Sequence, residues 1–117
     1  MENTHRSGCP ISTSLEVIGD KWTLILIRDM LCGKKRYGDF LDSPEKITTN
    51  ILASRLSDME RYGLVTKQLY NKRPKRFEYV LTPMGSALKP IVQSMCIWGN
   101  SFFPETWVPP KSFMAPD

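Results

Sequence analysis

Apolar residues recur at helical spacing along most of the chain, and at strand spacing in one stretch past its middle. Cys9-Pro10 opens the first helical stretch, with Leu15 and Ile18 on one face. Pro10 suits a first helical position, where a missing N–H costs little. Gly19-Asp20 interrupts the pattern, and Asp20 is placed to cap a second helix over residues 21–31. The run WTLILIRDML is apolar on most sides, as a central core helix is, and Cys32-Gly33 ends it. A short amphipathic unit over 37–41 offers Tyr37, Phe40 and Leu41 to the core before Asp42-Ser43-Pro44 breaks it.

A fourth helix is expected over 49–62, with Thr48 as N-cap and Gly63 as its stop. Its residues Leu52, Leu56 and Met59 repeat at i, i+4 and i+7 and form one buried stripe. Residues 64–70 and 76–81 read as two strands joined by a tip over 71–75. Thr82-Pro83 then starts a long helix over 84–102, which Pro90 should kink. Met84, Leu88, Ile91, Met95, Trp98 and Phe102 make a continuous apolar stripe along it, too long and aromatic for a small monomer to cover. The expected organisation is a flexible lead-in (1–8), one domain (9–103) and an irregular proline-rich tail (104–117). The fold class is mainly α with a small β-hairpin, and the element order is that of a winged helix-turn-helix.

Composition narrows the class. The chain has 117 residues, 41% of them hydrophobic and 24% charged, which suits one globular domain and not a disordered segment. The longest apolar run, within 22–27, is far short of the roughly 20 residues a membrane helix needs. No secretory signal is visible, so a cytoplasmic, nucleoid-associated protein with no membrane partner is expected. The three cysteines are widely spaced, without a CxxC pair, and His5 is the only histidine. No metal site, cofactor or catalytic residue is therefore expected, and a thiol enzyme built on Cys9 would lack a base.

Net charge is only +4, but seven of the sixteen Lys and Arg residues fall in two clusters: Lys34, Lys35 and Arg36, then Lys72, Arg73, Lys75 and Arg76. On the fourth helix, Asn50, Ser54, Ser57 and Arg61 lie opposite the apolar stripe, and Thr49 and Ala53, after the Thr48 cap, complete an exposed first turn. Short polar groups there let a helix backbone approach the major groove and bond to base edges. Taken alone, such a face is more often a solvated one. The hairpin tip that follows changes the balance. Four like charges on a tight connection repel one another, and contacts to phosphate give them a motive. Protection of a sheet edge by charge is the alternative. Lys35 and Arg36 join the tip residues as candidate phosphate contacts.

Joint motifs carry a more specific signal: Gly19-Asp20-Lys21-Trp22, Leu52-x-x-Arg55-Leu56, Gly63-Leu64 and Leu81-Thr82-x-x-Gly85. Together, over roughly residues 9–100, they resemble the HxlR-type helix-turn-helix regulators of bacteria, related to the MarR group. The resemblance implies a homodimeric transcription factor, more readily a repressor, that reads a palindromic operator in double-stranded DNA. It assigns the major-groove helix to residues 48–62, the wing to 64–81, and the dimer interface to the first and last helices. A winged-helix module for protein–protein contact is the alternative function.

Cys9 sits close to an N-cap, where a helix dipole favours a thiolate. Members of the similar family sense quinones, hypochlorite and other electrophiles through a cysteine in this Cys-Pro context. The resemblance therefore makes Cys9 a candidate sensor and an oxidant or small electrophile a candidate inducer; an incidental thiol is the competing reading. Cys32 and Cys96 are expected to behave as small buried hydrophobes, with either available as a resolving partner.

Overall fold

The computed structural model describes residues 4–116, so the ends of the expected lead-in and tail (1–3 and 117) lie outside the described residues. Four helices come first: α1 (Pro10–Ile18), α2 (Thr23–Leu31), α3 (Tyr37–Leu41) and α4 (Thr49–Arg61). The strands β1 (Val65–Lys72) and β2 (Lys75–Leu81) follow as an antiparallel hairpin, and α5 (Pro83–Ser86), α6 (Lys89–Phe102) and α7 (Lys111–Met114) complete the chain. The fold is mostly helical, with α3 and α4 as a helix-turn-helix and the hairpin as its wing.

The core forms where the sequence periods converge. Leu26 and Ile27 of α2, Phe40 of α3 and the α4 stripe of Leu52, Leu56 and Met59 are all but inaccessible, closed by Leu64 and Val65 at the start of the wing. Several helix ends are fixed locally. The Asp20 carboxylate accepts the Trp22 and Thr23 amides, both at 2.9 Å, and so caps α2 although the first regular turn starts two residues later than the spacing predicts. The Thr48 hydroxyl accepts the Ile51 amide at 3.4 Å. Gly63, at φ +84, closes α4: its N–H donates to the Glu60 carbonyl (3.0 Å) and the Leu64 N–H to the Met59 carbonyl (2.8 Å). Only glycine takes that backbone region without strain.

Several expectations need correction. The last helix is not continuous from residue 84: it breaks at Ala87–Leu88 into α5 and α6. Pro90 therefore sits in the first turn of α6, where its missing N–H breaks no bond, and no kink arises. The break turns Leu88 toward its own core and separates Met84 from the rest of the stripe. The strands run closer to the tip than the pattern suggests, because Lys72 still pairs with Lys75 and only Arg73–Pro74 turns the chain. The proline-rich tail is not irregular throughout: it folds back as a hook, with α7 and a half-buried Phe113 against the core. Side-chain amides of α6 hold it there, Gln93 donating to the carbonyls of Phe113 (3.0 Å) and Ala115 (3.1 Å), and Asn100 to that of Trp107 (3.0 Å). Cys32 is exposed and Cys96 only half-buried, so neither is a buried hydrophobe. His5, expected in a frayed lead-in, meets Glu16 of α1 at 3.1 Å.

Gly85 explains why α5 can dock where it does. A Cβ at this position would collide with the Leu64 carbonyl oxygen and press on Leu81. Gly85→Ala is expected to cost about 1–3 kcal/mol by overpacking. Gly38→Ala, which adds its methyl in open space on α3, should instead be neutral or gain up to about 1 kcal/mol from helix propensity. Urea midpoints of the two variants check the contrast, and equal values would contradict it.

Candidate nucleic-acid interface

The turn between α3 and α4 is held from below by α2. Asp29, 4% exposed, accepts the Ser43 hydroxyl at 2.5 Å and two N–H bonds from Arg28, at 2.8 and 3.1 Å. Arg28 also forks onto Glu45, at 2.7 and 2.9 Å, and Lys34 donates to Ser43 at 3.0 Å. Two α2 side chains thus fix both ends of the short loop Ser43–Glu45. From the other side, Arg55 of α4 reaches Asp58 at 2.7 Å and Asp20 at 3.8 Å, which ties the helix to the cap of α2. Arg55 therefore serves position, and its place in the Leu52-x-x-Arg55-Leu56 motif has a structural reason.

On this base α4 presents Thr49, Asn50, Ala53, Ser54 and Ser57, all exposed. Thr48 is exposed too, with its hydroxyl engaged as the cap. Arg61, at the far end, is not free: it donates to Asp58 at 2.8 Å and lies 4.9 Å from the Tyr62 ring. Ala53 and Ser57 line a groove of about 510 Å³ whose other wall carries Lys67, Lys75 and Arg76 of the wing. The fold thus brings Ala53 and Ser57 together with part of the basic hairpin, whereas Asn50 and Ser54 line a separate hollow with Asp20 and Trp22, and Lys72 and Arg73 lie outside the groove lining. Among the described residues Lys72, Arg73, Lys75 and Arg76 are exposed and form no ion pair.

The first basic cluster is employed differently. Lys35 and Arg36 meet Glu78 of β2 at 3.8 and 3.5 Å, and Arg36 bridges Glu78 through the backbone, so this segment flanks the wing as a short third edge. Two cations share one carboxylate, which leaves a net positive charge at the groove rim. Sequence reasoning missed Lys67, Tyr37 and Tyr70. Tyr70 is the extra residue of a β-bulge between Leu69 and Asn71, and the bulge turns its ring under the Arg36 guanidinium at 3.9 Å. No glycine marks that bulge. The Tyr37 hydroxyl reaches the Thr49 carbonyl at 3.4 Å, and burial pushes its phenol above the ordinary value, so it stays a donor. Away from this surface, Cys9 is exposed at the N-cap of α1.

A recognition helix docked on a core helix, beside a basic two-stranded wing, defines a winged helix-turn-helix transcriptional regulator, a class that binds DNA and is not enzymatic. The chain belongs to the HxlR-like helix-turn-helix family, whose model matches residues 17–107. Similar proteins agree. The HTH-type transcriptional regulator YybR of Bacillus subtilis is 40% identical over 97 residues, which cover 83% of this chain and 78% of that protein. The redox regulator HypR in its oxidised form is 41% identical, with TM-score 0.72, covering 80% of this chain and 96% of that one. The reduced form of the transcriptional regulator YodB from B. subtilis is 26% identical, with TM-score 0.69, covering 86% and 100%. Among the described residues no helix is long and apolar enough to cross a membrane.

The supports of α4 carry a pH signature. Burial raises the Asp20 carboxyl, but hydrogen bonds from Thr23 and the Trp22 amide outweigh it and hold the group below its ordinary value. The hydrogen bond from Arg28 likewise holds Glu45 low. A carboxyl whose folded pKa lies below its unfolded one adds stability above the unfolded value, near about 4, and loses it as pH falls through the folded value. The urea midpoint should stay level down to about pH 5 and drop below about pH 4. In Asp20→Asn the drop should be smaller.

Proposed function

We propose that the chain is a homodimeric repressor that inserts Asn50, Ala53, Ser54 and Ser57 into the major groove of a palindromic operator while its wing grips flanking phosphates. The groove shared by Ala53, Ser57, Lys75 and Arg76 carries this reading, because one surface offers groups small enough to reach base edges and cations free to meet the backbone. Lys72, Arg73, Lys35 and Arg36 extend the positive rim. Thr48, Thr49 and Arg61 flank the reading face, with Arg61 released from Asp58 only on contact.

Dimerisation is supported by α1, which buries none of its residues fully in its own chain and sets only Val17 against the core. Its Ile11 and Leu15 are 70% and 56% exposed, and Ile91, Met95, Trp98 and Phe102 of α6 are open as well. Apolar surface of this extent calls for a partner, and a second copy related by a two-fold axis matches a palindrome. Met84, also exposed, adds to the edge of that face, whereas Leu88 contributes from beneath it. A two-fold dimer seated on a promoter obstructs polymerase, which gives repression as the sign.

Cys9 supplies the switch in this reading. Its thiol is exposed at the start of α1, on the helix assigned to the interface, where an oxidant or quinone would reach it and a modification would disturb the pairing of subunits. The likeness to a redox regulator at 41% identity supports the same role.

Selection of bound genomic fragments by the purified protein should recover a two-fold symmetric site, and failure to retain any fragment at low salt would favour an interaction module instead. Asn50→Ala should narrow the gap between operator and random DNA by about 1–3 kcal/mol, whereas Arg73→Ala should weaken both alike and lower the salt slope by about 1. Trp98→Asp should convert the dimer to monomer by light scattering, and an intact dimer would move the interface elsewhere. Cys9→Ser should bind the operator normally yet ignore hypochlorite and benzoquinone; an unchanged response would remove Cys9 from the mechanism.

A further inference from the structure

The hook encloses a second concavity, remote in composition from the DNA face. It measures about 360 Å³ and lies between α2, α6 and the returning chain, with Arg28, Cys32, Cys96, Trp107 and Phe113 among its walls. A neighbouring cleft of about 250 Å³ shares Arg28, Cys96, Thr106 and Trp107 with it. Such a volume, walled by aromatic and proline side chains, is the size and character of a small-molecule site.

The polar groups decide what can enter. All four bonds made by the Arg28 guanidinium go to Glu45 and Asp29, so its charge is already matched within the protein. The Thr106 hydroxyl is likewise committed, donating to the Phe103 carbonyl at 2.6 Å and accepting from Asn100 at 2.8 Å. That leaves one Arg28 N–H, one lone pair on the Thr106 hydroxyl and two thiols, which are weak hydrogen-bonding groups, among apolar walls. An anion would find no unmatched side-chain cation there, and a sugar-like molecule too few side-chain partners for its several hydroxyls. We propose that this cleft binds a small uncharged aromatic molecule of one to three rings.

The site is compatible with dimerisation. At about 100° per residue, Gln93, Cys96 and Asn100 project from the side of α6 roughly opposite to Ile91, Met95, Trp98 and Phe102. The hook occupies the first side, and the proposed subunit partner the second. A ligand beneath the hook touches α2 and α6 at once, and burial pushes the Cys96 thiol upward, which keeps it protonated and apolar.

N-Phenyl-1-naphthylamine tests the proposal, because its fluorescence rises on leaving water and its 8-sulfonate is the same skeleton with a charge. The neutral probe should bind saturably, one per chain, and slow the alkylation of Cys96 by N-ethylmaleimide about tenfold while leaving Cys9 unchanged. Trp107→Ala, at an exposed wall whose removal spares the core, should weaken the probe about tenfold, a loss of about 1.4 kcal/mol. Cys96→Trp, which fills the cleft, should abolish binding. Affinity unaffected by Trp107→Ala together with unprotected Cys96 would overturn the site. Equal binding of the sulfonate would overturn the uncharged class of ligand.

Discussion

One buried carboxylate, that of Asp29, joins the core helix to the turn that launches the recognition helix. Moving a carboxylate out of water is costly unless its oxygens are met, and here Ser43 and Arg28 meet them. Removing one partner from such a cluster typically costs about 3–5 kcal/mol, a large part of a small domain's stability. The return is geometric. The loop from Ser43 to Glu45 has little apolar surface with which to fix itself, so its position is taken from α2 through side-chain bonds of defined length. The angle at which α4 leaves the core follows from that loop and from the Arg55 link to Asp20.

Cations are divided between support and contact. Arg28, Arg55 and Arg61 are each engaged by carboxylates of the same chain, and Lys35 and Arg36 share Glu78. Among the described residues the wing-tip cations have no such partners. A phosphate approaching the tip displaces only water and counterions, whereas one approaching Arg61 must compete with Asp58. In the proposed reading, affinity without sequence preference is concentrated in the wing, and α4 is left with short, nearly neutral groups suited to discrimination.

What could be read from the chain was what local chemistry decides. The α4 stripe, the cap at Thr48 and the stop at Gly63 each depend on residues within one or two turns and stand where the pattern puts them, whereas Asp20 meets the Trp22 and Thr23 amides ahead of a helix that starts two residues late. The break at Ala87–Leu88 escaped because apolar spacing runs straight across it, and a proline in register with a helix looks like a kink before it looks like a start. The hook escaped for the opposite reason: a proline-rich segment has no period, and its order comes from Gln93 and Asn100, far back in the sequence. The candidate site divides the same way. The small polar face and the basic tip were legible as composition at fixed spacing. The pairing of Lys35 and Arg36 with Glu78 is tertiary, and the bulge that aims Tyr70 carries no signature residue.

α6 has three faces with three different obligations, and its sequence keeps them apart. Val92 points into the core, Gln93 and Asn100 bind the hook, and Ile91, Met95, Trp98 and Phe102 stand open. Any rotation of the helix that improved one of these contacts would spoil the others, since they are spaced around a single rigid cylinder. Arg28 completes the connection, because the guanidinium that walls the hook's cleft is the one that holds Asp29 and Glu45 beneath the helix-turn-helix. The side chain that lines the hook's cleft thus also braces the loop that sets α4.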